Sequence, residues 1–330
     1  MPSHKTKAET TGLFFSVSII LFPAFTSTHI GIGGGNRPGL PSDYSTMNIE
    51  FKWFSVESLQ NELEHHSGIK YIRNPFQIKD LHKDFRRLFL QISKEIGSPV
   101  SQNTQGDLLL DIQDRGFAPN DLRARGPYSN RKLSFHTDRC DVIGFLCLQP
   151  AKSGGENQII KSQEIEKIIL KERKDLHQIL CSPFPLKRHN MDSLNPSPYC
   201  LQPIFSWKNQ FFACSYLRVL IDRANQDPEC PSLTEHQEEA LDFLDSVCER
   251  AELQTKISLN KGDMLFLNNW TTLHRRTEFI DYNEPQKKRH LLRVWLSMPN
   301  SRPLNSMFKE NFGAVESGAI RGGIQANPPA

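Results

Sequence analysis

The chain has 330 residues, enough for one large domain or two ordinary domains with a sizeable core. A hydrophobic fraction of 38% and a charged fraction of 23% are typical of a globular protein. The formal net charge is only +3 and no tract of Lys or Arg stands out, so the composition argues against a nucleic-acid partner or an anionic membrane surface.

The cysteines favour a reducing compartment. There are seven, an odd number, and no two of them are spaced C-x-x-C. Several lie in apolar runs. This usage argues against a disulfide framework and against a structural zinc site. We therefore expect a cytoplasmic protein.

The N-terminus leaves an alternative location open. The apolar run at 13–22 is too short to span a bilayer as a helix, although it has the length of the apolar part of a signal peptide. Glu9 interrupts the basic segment before this run, and a good cleavage site is missing. We predict that residues 1–45 are an extension, either poorly ordered or a targeting segment, with no stable membrane span, and that 46–330 is a single domain.

The first predicted elements are helical. Apolar periodicity predicts helices at 56–64 and 78–96, with a short strand in G-I-K-Y-I-R between them. A strand is predicted at 107–113. The polar, turn-rich segment that follows, at 114–130, predicts a long loop of the kind that often covers an active site.

The rest of the chain alternates short apolar strands with long insertions. We predict strands in D-V-I-G-F-L-C-L, Q-I-I-K-S and R-H-L-L-R-V-W-L, and at 203–206 and 210–216. Helices are predicted at 163–180 and 234–253, and a hairpin is predicted from I-S-L-N to M-L-F-L-N-N. This pattern contains few βαβ units. It favours a mainly β fold, an antiparallel core with peripheral helices.

Two potential metal ligands lie in the motif S-F-H-T-D-R-C-D. Side chains two positions apart on a strand point to the same face, so His136 and Asp138 can reach one ion. A third ligand must come from elsewhere. His274 follows the strand near the C-terminal end of the β-region, and His189, in a polar loop, stays a second candidate.

A pair of arginines accompanies these ligands. Arg289 and Arg293 are four residues apart, which on a strand places both guanidiniums on one side and His290 on the other. Inward-facing arginines are costly in a β-core unless they bind anions, and a guanidinium fork matches a carboxylate. Arg275 and Arg276, which directly follow His274, are predicted to be rim or ion-pair residues.

Two imidazoles and one carboxylate form the ligand set of non-haem Fe(II) oxygenases, which leaves three coordination positions open. In this respect the sequence resembles the TauD/TfdA-type Fe(II)/2-oxoglutarate-dependent dioxygenases, which include the clavaminate synthase-like enzymes. The resemblance covers roughly residues 105–322. It rests on F-H-T-D-R-C-D, G-G-E-N-Q, G-D-M-L-F-L-N-N-W-T-T-L-H-R-R-T-E-F-I-D and R-H-L-L-R-V-W-L.

The resemblance implies a double-stranded β-helix (jelly-roll) core and an iron site of His136, Asp138 and His274. It implies that Arg289 binds the distal carboxylate of 2-oxoglutarate and that Arg293 contacts the cosubstrate or an anionic group of the substrate. Relatives usually carry Thr or Ser shortly after the G-G pair, where this chain has Asn157, whose amide can still donate a hydrogen bond.

The implied reaction consumes O₂ and 2-oxoglutarate, releases succinate and CO₂, and hydroxylates or desaturates an unactivated C–H bond of a small molecule. An amino acid or another carboxylate is the favoured substrate class. Halogenating relatives lack the carboxylate ligand, so Asp138 argues against halogenation. The alternatives are a zinc-dependent hydrolase and a non-catalytic jelly-roll binding protein. The sequence leaves homo-oligomerisation open.

Overall fold

The computed structural model describes residues 55–75, 85–117, 126–188 and 197–325, which all belong to one compact unit, Phe54–Ala330. The predicted N-terminal extension, the targeting run at 13–22 and His189 lie outside the described residues, as does the first part of the helix predicted at 78–96. In the described ranges no helix is both long enough and apolar enough to cross a bilayer.

The main structural element is an antiparallel six-stranded sheet with the order β1-β12-β4-β15-β2, in which β3 also pairs with β15. Its central strands are apolar on both faces and buried, as expected for strands covered from two sides. The strands are β1 (Ile69–Ile72), β2 (Ser98–Val100), β3 (Leu109–Ile112), β4 (Val142–Gln149), β12 (Met264–Asn268) and β15 (His290–Ser297).

A second, three-stranded sheet has the order β11-β6-β13 and is built from β6 (Asn157–Lys161), β11 (Thr255–Ile257) and β13 (Thr272–Arg276). Apolar side chains of both sheets form one buried cluster, which includes Ile143, Phe145, Leu291 and Trp295 from the large sheet and Ile159 from the small one. This mainly β, jelly-roll architecture confirms the predicted fold class.

Helices cover the outer side of the small sheet. There, Ile160 and Leu273 pack into a second core with the helices that follow β6 and β10. These helices are α3 (Ser162–Glu172), α4 (Lys174–Leu180), α5 (Arg218–Asn225) and α6 (Glu235–Cys248). Short strands complete this region: β5 (Ser153–Gly154), β7 (Pro183–Lys187), β8 (Tyr199–Pro203), β9 (Phe205–Lys208), β10 (Phe211–Cys214) and β14 (Phe279–Ile280).

Two helices pack near the large sheet and one short helix lies near the C-terminus. They are α1 (Val56–His65), α2 (Phe85–Ile96) and α7 (Lys309–Phe312). Ser55 caps α1 by accepting a hydrogen bond from the backbone N of Ser58, which fixes the start of the predicted helix.

Two sequence-based predictions of elements are wrong. The hairpin predicted between β11 and β12 does not form, because β11 pairs with β6 and β12 pairs with β1 and β4. The connection turns at Gly262, whose backbone bonds to Cys147, and so crosses from one sheet to the other. The helix predicted at 163–180 is broken at Arg173, which has non-helical dihedral angles of −143° and 73°.

Candidate active site

Two histidines face each other across an isolated β-bridge. The backbone N of His136 donates to the carbonyl of His274, and the reverse bond is also present, both at 3.0 Å. Their ring centroids are 4.5 Å apart. His274 lies in the middle of β13, opposite Ile159 of β6. The predicted strand through His136 and Asp138 is therefore reduced to one bridge, and Asp138 lies in the irregular segment before β4.

Asp138 completes the cluster from the segment between His136, which bridges to β13 of the small sheet, and β4 of the large sheet. Its Oδ2 lies 3.4 Å from Nε2 of His274, and its backbone N donates to Oδ1 of Asn269 at 3.0 Å. One ligand atom from each of His136, Asp138 and His274 lies within 4.8 Å of the other two. The structure thus brings together the three residues that the sequence proposed as metal ligands.

His136 is held in a state suited to binding a cation. Its Nδ1 lies 2.9 Å from the carbonyl of Ser134, which can only accept, so the proton is on Nδ1 and the lone pair is on Nε2. Burial, together with the nearby His274, lowers the pKa of His136 to about 4. The imidazole is therefore neutral at physiological pH.

Asp138 supplies the negative charge. Burial alone would raise its pKa, but Arg293 and the two imidazoles outweigh this effect and hold the pKa well below its usual range. Its Oδ2 is buried and has no hydrogen-bond partner among the described residues. An ionised carboxylate with an unsatisfied oxygen beside two imidazole rings is costly without a cation, and this donor set suits iron. The residues therefore fit a metal ion.

Arg289 is buried, and its guanidinium forms no salt bridge with a described residue. It is 4% exposed, and its Nη1 has no hydrogen-bond partner among the described residues. The guanidinium carbon lies 5.0 Å from the centre of the Phe279 ring. The backbone of Gly155 packs against it so closely that a Cβ there would lie 3.1 Å from Nε. Burial lowers the pKa of Arg289 to about 10, so the group stays charged and can receive an anion.

Arg293 points towards the metal ligands. Its Nη1 lies 3.6 Å from Oδ1 of Asp138, and its Nε donates to Oε1 of Gln102 at 2.7 Å. The prediction that Arg289 and Arg293 lie on one face of the same strand is wrong. Arg289 precedes β15, and the strand register shifts between His290 and Leu291. The two guanidiniums consequently contact different neighbours.

Asn157 starts β6 directly opposite Arg276 of β13. Side chains paired in this way share a face, and alternation places His274 on that face as well. The amide of Asn157 is buried and donates to the carbonyl of Ile257 at 3.3 Å. A contact between Asn157 and 2-oxoglutarate stays a prediction.

Asn269 and Asp141 are site residues that the sequence reasoning missed. Asn269 accepts from the backbone of Asp138 and donates through Nδ2 to Sγ of Cys140 at 3.0 Å, so it fixes the segment that carries the carboxylate ligand. Asp141 is 1% exposed and accepts from Trp270 and Arg321. The only sequence signals were a polar pair at the end of β12 and an acid in the ligand motif.

Comparison with known proteins supports the fold and the family. The family model described as "Taurine catabolism dioxygenase TauD, TfdA family" matches residues 43–295. Two solved structures of the non-heme iron oxygenase OrfP are similar. The complex with Fe, succinate and (3R,4R)-dihydroxy-L-Arg has a TM-score of 0.53, 17% identity, and coverage of 80% of this chain and 85% of that one. The complex with Fe and alpha-ketoglutaric acid has a TM-score of 0.50, 18% identity, and coverage of 73% and 80%.

Curated relatives match over shorter stretches. FR-33289 synthase of Streptomyces rubellomurinus is 29% identical over 64% of this chain and 63% of its own length. The taurine hydroxylase-like protein SAT17 of Stachybotrys chartarum is 30% identical over 54% and 48%. The chain thus spans less than two thirds of these relatives. The family match, which covers most of this chain, confirms the predicted resemblance. The chain belongs to the TauD/TfdA family of dioxygenases.

Proposed function

We propose that this protein is an Fe(II)- and 2-oxoglutarate-dependent dioxygenase that oxidises a C–H bond of a small carboxylate-bearing molecule, with an amino acid as the favoured class. The observation that carries the proposal is the convergence of His136, Asp138 and His274, with an unsatisfied carboxylate oxygen, in a fold that also buries the unpaired Arg289. Residues 46–330 are proposed to form the catalytic domain.

The three ligands would hold iron while neighbouring groups keep them in place. The carbonyl of Ser134 fixes the tautomer of His136, the backbone bridge aligns His136 with His274, and Asn269 orients the segment of Asp138. When bound, iron and 2-oxoglutarate supply the oxidation of the substrate and the release of succinate and CO₂. The protein excludes water by burying the ligands beside Phe145, whose ring centre is 6.2 Å from that of His274.

Arg289 would bind the distal carboxylate of 2-oxoglutarate. Its guanidinium offers a bidentate fork, and no carboxylate of the described chain forms a salt bridge with it. A bound dicarboxylate would supply the missing counter-charge. Asn157 is proposed to assist through its amide. Arg293, already beside Asp138, is proposed to orient that ligand and to meet an anionic group of the substrate.

The proposed role of Arg293, whose Nη1 lies 3.6 Å from Oδ1 of Asp138, fits a substrate that carries a carboxylate. The arginine product in OrfP favours an amino acid.

The two alternatives explain less of the site. A zinc hydrolase could use two imidazoles and a carboxylate, but it gives no reason to bury Arg289 without a counter-ion. A non-catalytic binding protein gives no reason to keep all three ligands together with this arginine. Both alternatives remain distinct outcomes of one experiment.

That experiment is anaerobic addition of Fe(II) and 2-oxoglutarate to the metal-free protein. We expect the weak visible absorption band of the iron–2-oxoglutarate chelate, and we expect His136→Ala to abolish it. Full zinc occupancy with no such band would contradict the proposal. Screening amino acids and other carboxylates for stimulated succinate formation then identifies the substrate.

A further inference from the structure

Strand β13 carries two adjacent buried arginines that face opposite sides of the small sheet. Arg275 is 4% exposed and Arg276 is 5% exposed. Arg275 has partners for its charge and its hydrogen-bond donors. It forms a salt bridge with Glu249 and donates through Nε to Gln158 at 2.6 Å, and its guanidinium carbon lies 4.0 Å from the centre of the Phe135 ring. The ion-pair prediction for Arg275 agrees with these contacts.

Arg276 has no carboxylate partner of this kind among the described residues. In the described ranges its side chain donates to two backbone carbonyls, from Nε to that of Thr277 at 3.1 Å and from Nη2 to that of Arg131. Asp114 and Asp281 are the acids close enough to influence it, but neither forms a salt bridge with it. The rim or ion-pair role predicted for Arg276 therefore does not describe its surroundings. A buried guanidinium without a carboxylate partner is unusual, because desolvation penalises the charge.

Arg276 shares its surroundings with Arg289. The two guanidinium carbons lie 4.7 Å and 5.0 Å from the centre of the same ring, that of Phe279. Asp281 accepts from the backbone N of Arg289 at 2.7 Å, and its Oδ2 is buried without a hydrogen-bond partner among the described residues. Both guanidiniums therefore pack on one aromatic ring, and an anion that reached both would offset the cost of burying them.

Arg276 also holds the segment that leads into His136. Besides the bond from Nη2 to the carbonyl of Arg131, its own carbonyl accepts from the backbone N of Leu133 at 3.0 Å. The backbone N of Phe279 donates to the carbonyl of Asn130 at 3.0 Å. Hydrogen bonds thus connect Arg276 and Phe279 to the described end of the long loop predicted at 114–130 and to the residues after it.

We propose that Arg276 is a positioning residue for the cosubstrate. With Phe279 it holds Arg289 in place for the distal carboxylate of 2-oxoglutarate, and it couples the binding of 2-oxoglutarate to the segment at 130–133. This inference rests on the proposed function. It assigns to β13 a second role, since the strand carries the ligand His274 and, two residues later on the same face, a cation that supports cosubstrate binding.

The test is the dissociation constant of 2-oxoglutarate, measured by calorimetry on protein loaded with Zn(II) to prevent turnover. Arg276→Met should raise it about tenfold or more, because a charge-assisted contribution is lost. Arg276→Lys, which keeps the charge without the fork, should raise it less. Arg275→Met is the matched control and should change it less than about twofold, since Arg275 faces the other core. Zinc affinity should stay unchanged in all three variants.

A second readout separates positioning from a merely structural role. Trypsin can cleave after the exposed Arg131 and Lys132. Saturating 2-oxoglutarate should slow this cleavage in the wild-type protein and have no such effect in Arg276→Met. Equal 2-oxoglutarate affinity in Arg276→Met and wild type would overturn the inference. Equal protection of the two proteins from trypsin by 2-oxoglutarate would overturn it as well. Unchanged binding in Arg289→Met would instead overturn the proposed cosubstrate site. If Arg276→Met does not fold, Arg276→Lys decides by the same comparison.

Discussion

At the scale of single residues, the site depends on how each ligand is held as much as on the ligands themselves. His136, Asp138 and His274 come from two segments more than a hundred residues apart, yet backbone bonds and one amide bring them together. The side chain of Asn269 bonds to the ligand segment twice, at Asp138 and at Cys140, and its backbone N donates to the carbonyl of Asp141. The contribution of Asn269 to metal binding can be separated from the contribution of the adjacent Asn268 to stability.

Asn269→Ala is expected to weaken metal binding by about 10- to 100-fold, the usual effect of losing a group that orients a ligand. The measurement is a competitive metal titration of the metal-free protein. Asn268→Ala is the control. Asn268 is equally buried but bonds to Leu63 and Glu64 on the side of α1, so it should lower stability and leave metal affinity intact. Equal losses of affinity in both variants would contradict the assignment.

The cluster of His136, Asp138 and His274 could be predicted from the sequence because residue type, order and spacing are all local properties of the motifs. The supporting groups could not. Asn269 and Asp141 act through bonds to residues 131 and 180 positions away, respectively, in Asp138 and Arg321. A polar residue at the end of a strand gives no indication of such a partner. The residue type of Arg276 likewise gives no indication of its surroundings in the fold.

At the scale of elements, most strands and helices follow from apolar periodicity, and the errors have long-range causes. The segment at 163–180 has helical composition throughout, but Arg173 leaves the helix to pair with Asp175 and with Glu239 of α6. Strands β11 and β12 look like a hairpin because they are adjacent in sequence, but pairing with β6 and β4 separates them. Tertiary pairing overrides the local signal in both cases.

The C-terminal segment is the element that sequence analysis left without a role. Arg321 is completely buried, and its Nε bonds to Oδ1 of Asp141 at 2.7 Å. The adjacent Gly322 has a φ of 78° and lies so close to the carbonyl of Arg139 that a Cβ would be 2.6 Å from it. The backbone N of Gly323 donates to the same carbonyl at 2.7 Å. The C-terminal segment is therefore attached by these contacts to the stretch that follows Asp138.

Arg321→Met is expected to lower the free energy of unfolding by about 3 to 5 kcal/mol, because it leaves the carboxylate of Asp141 buried without its cation. Chemical denaturation measures this loss. Arg250→Met is the matched control, since Arg250 pairs with Glu172 at the surface, where solvent screens the charges, and the midpoint should hardly move. Similar midpoints for the two variants would show that the buried pair contributes no more than a surface pair.

At the scale of the whole molecule, the jelly-roll buries charged groups whose counter-charges bound ligands would supply. The two sheets enclose an apolar core. The buried groups of the surrounding site that have no hydrogen-bond partner among the described residues include Oδ2 of Asp138, Nδ1 of His274 and Nη1 of Arg289. Without ligands, these groups reduce the stability of the fold. The carboxylate and the histidines favour a cation, whereas the arginine favours an anion, so each ligand should stabilise the protein and both should act together.

This arrangement predicts ordered stabilisation on thermal unfolding. A divalent metal at 100 times its dissociation constant should add about 2.7 kcal/mol to the free energy of unfolding, by mass action. Adding 2-oxoglutarate should then raise the midpoint further, and by more than it does in the presence of a chelator, because only the metal-loaded site can engage both ends of the cosubstrate. His136→Ala should remove the metal-dependent shift and Arg289→Met only the 2-oxoglutarate-dependent one. If 2-oxoglutarate stabilised the chelated and metal-loaded proteins equally, Arg289 and the triad would be independent sites, and the cosubstrate would not bridge them.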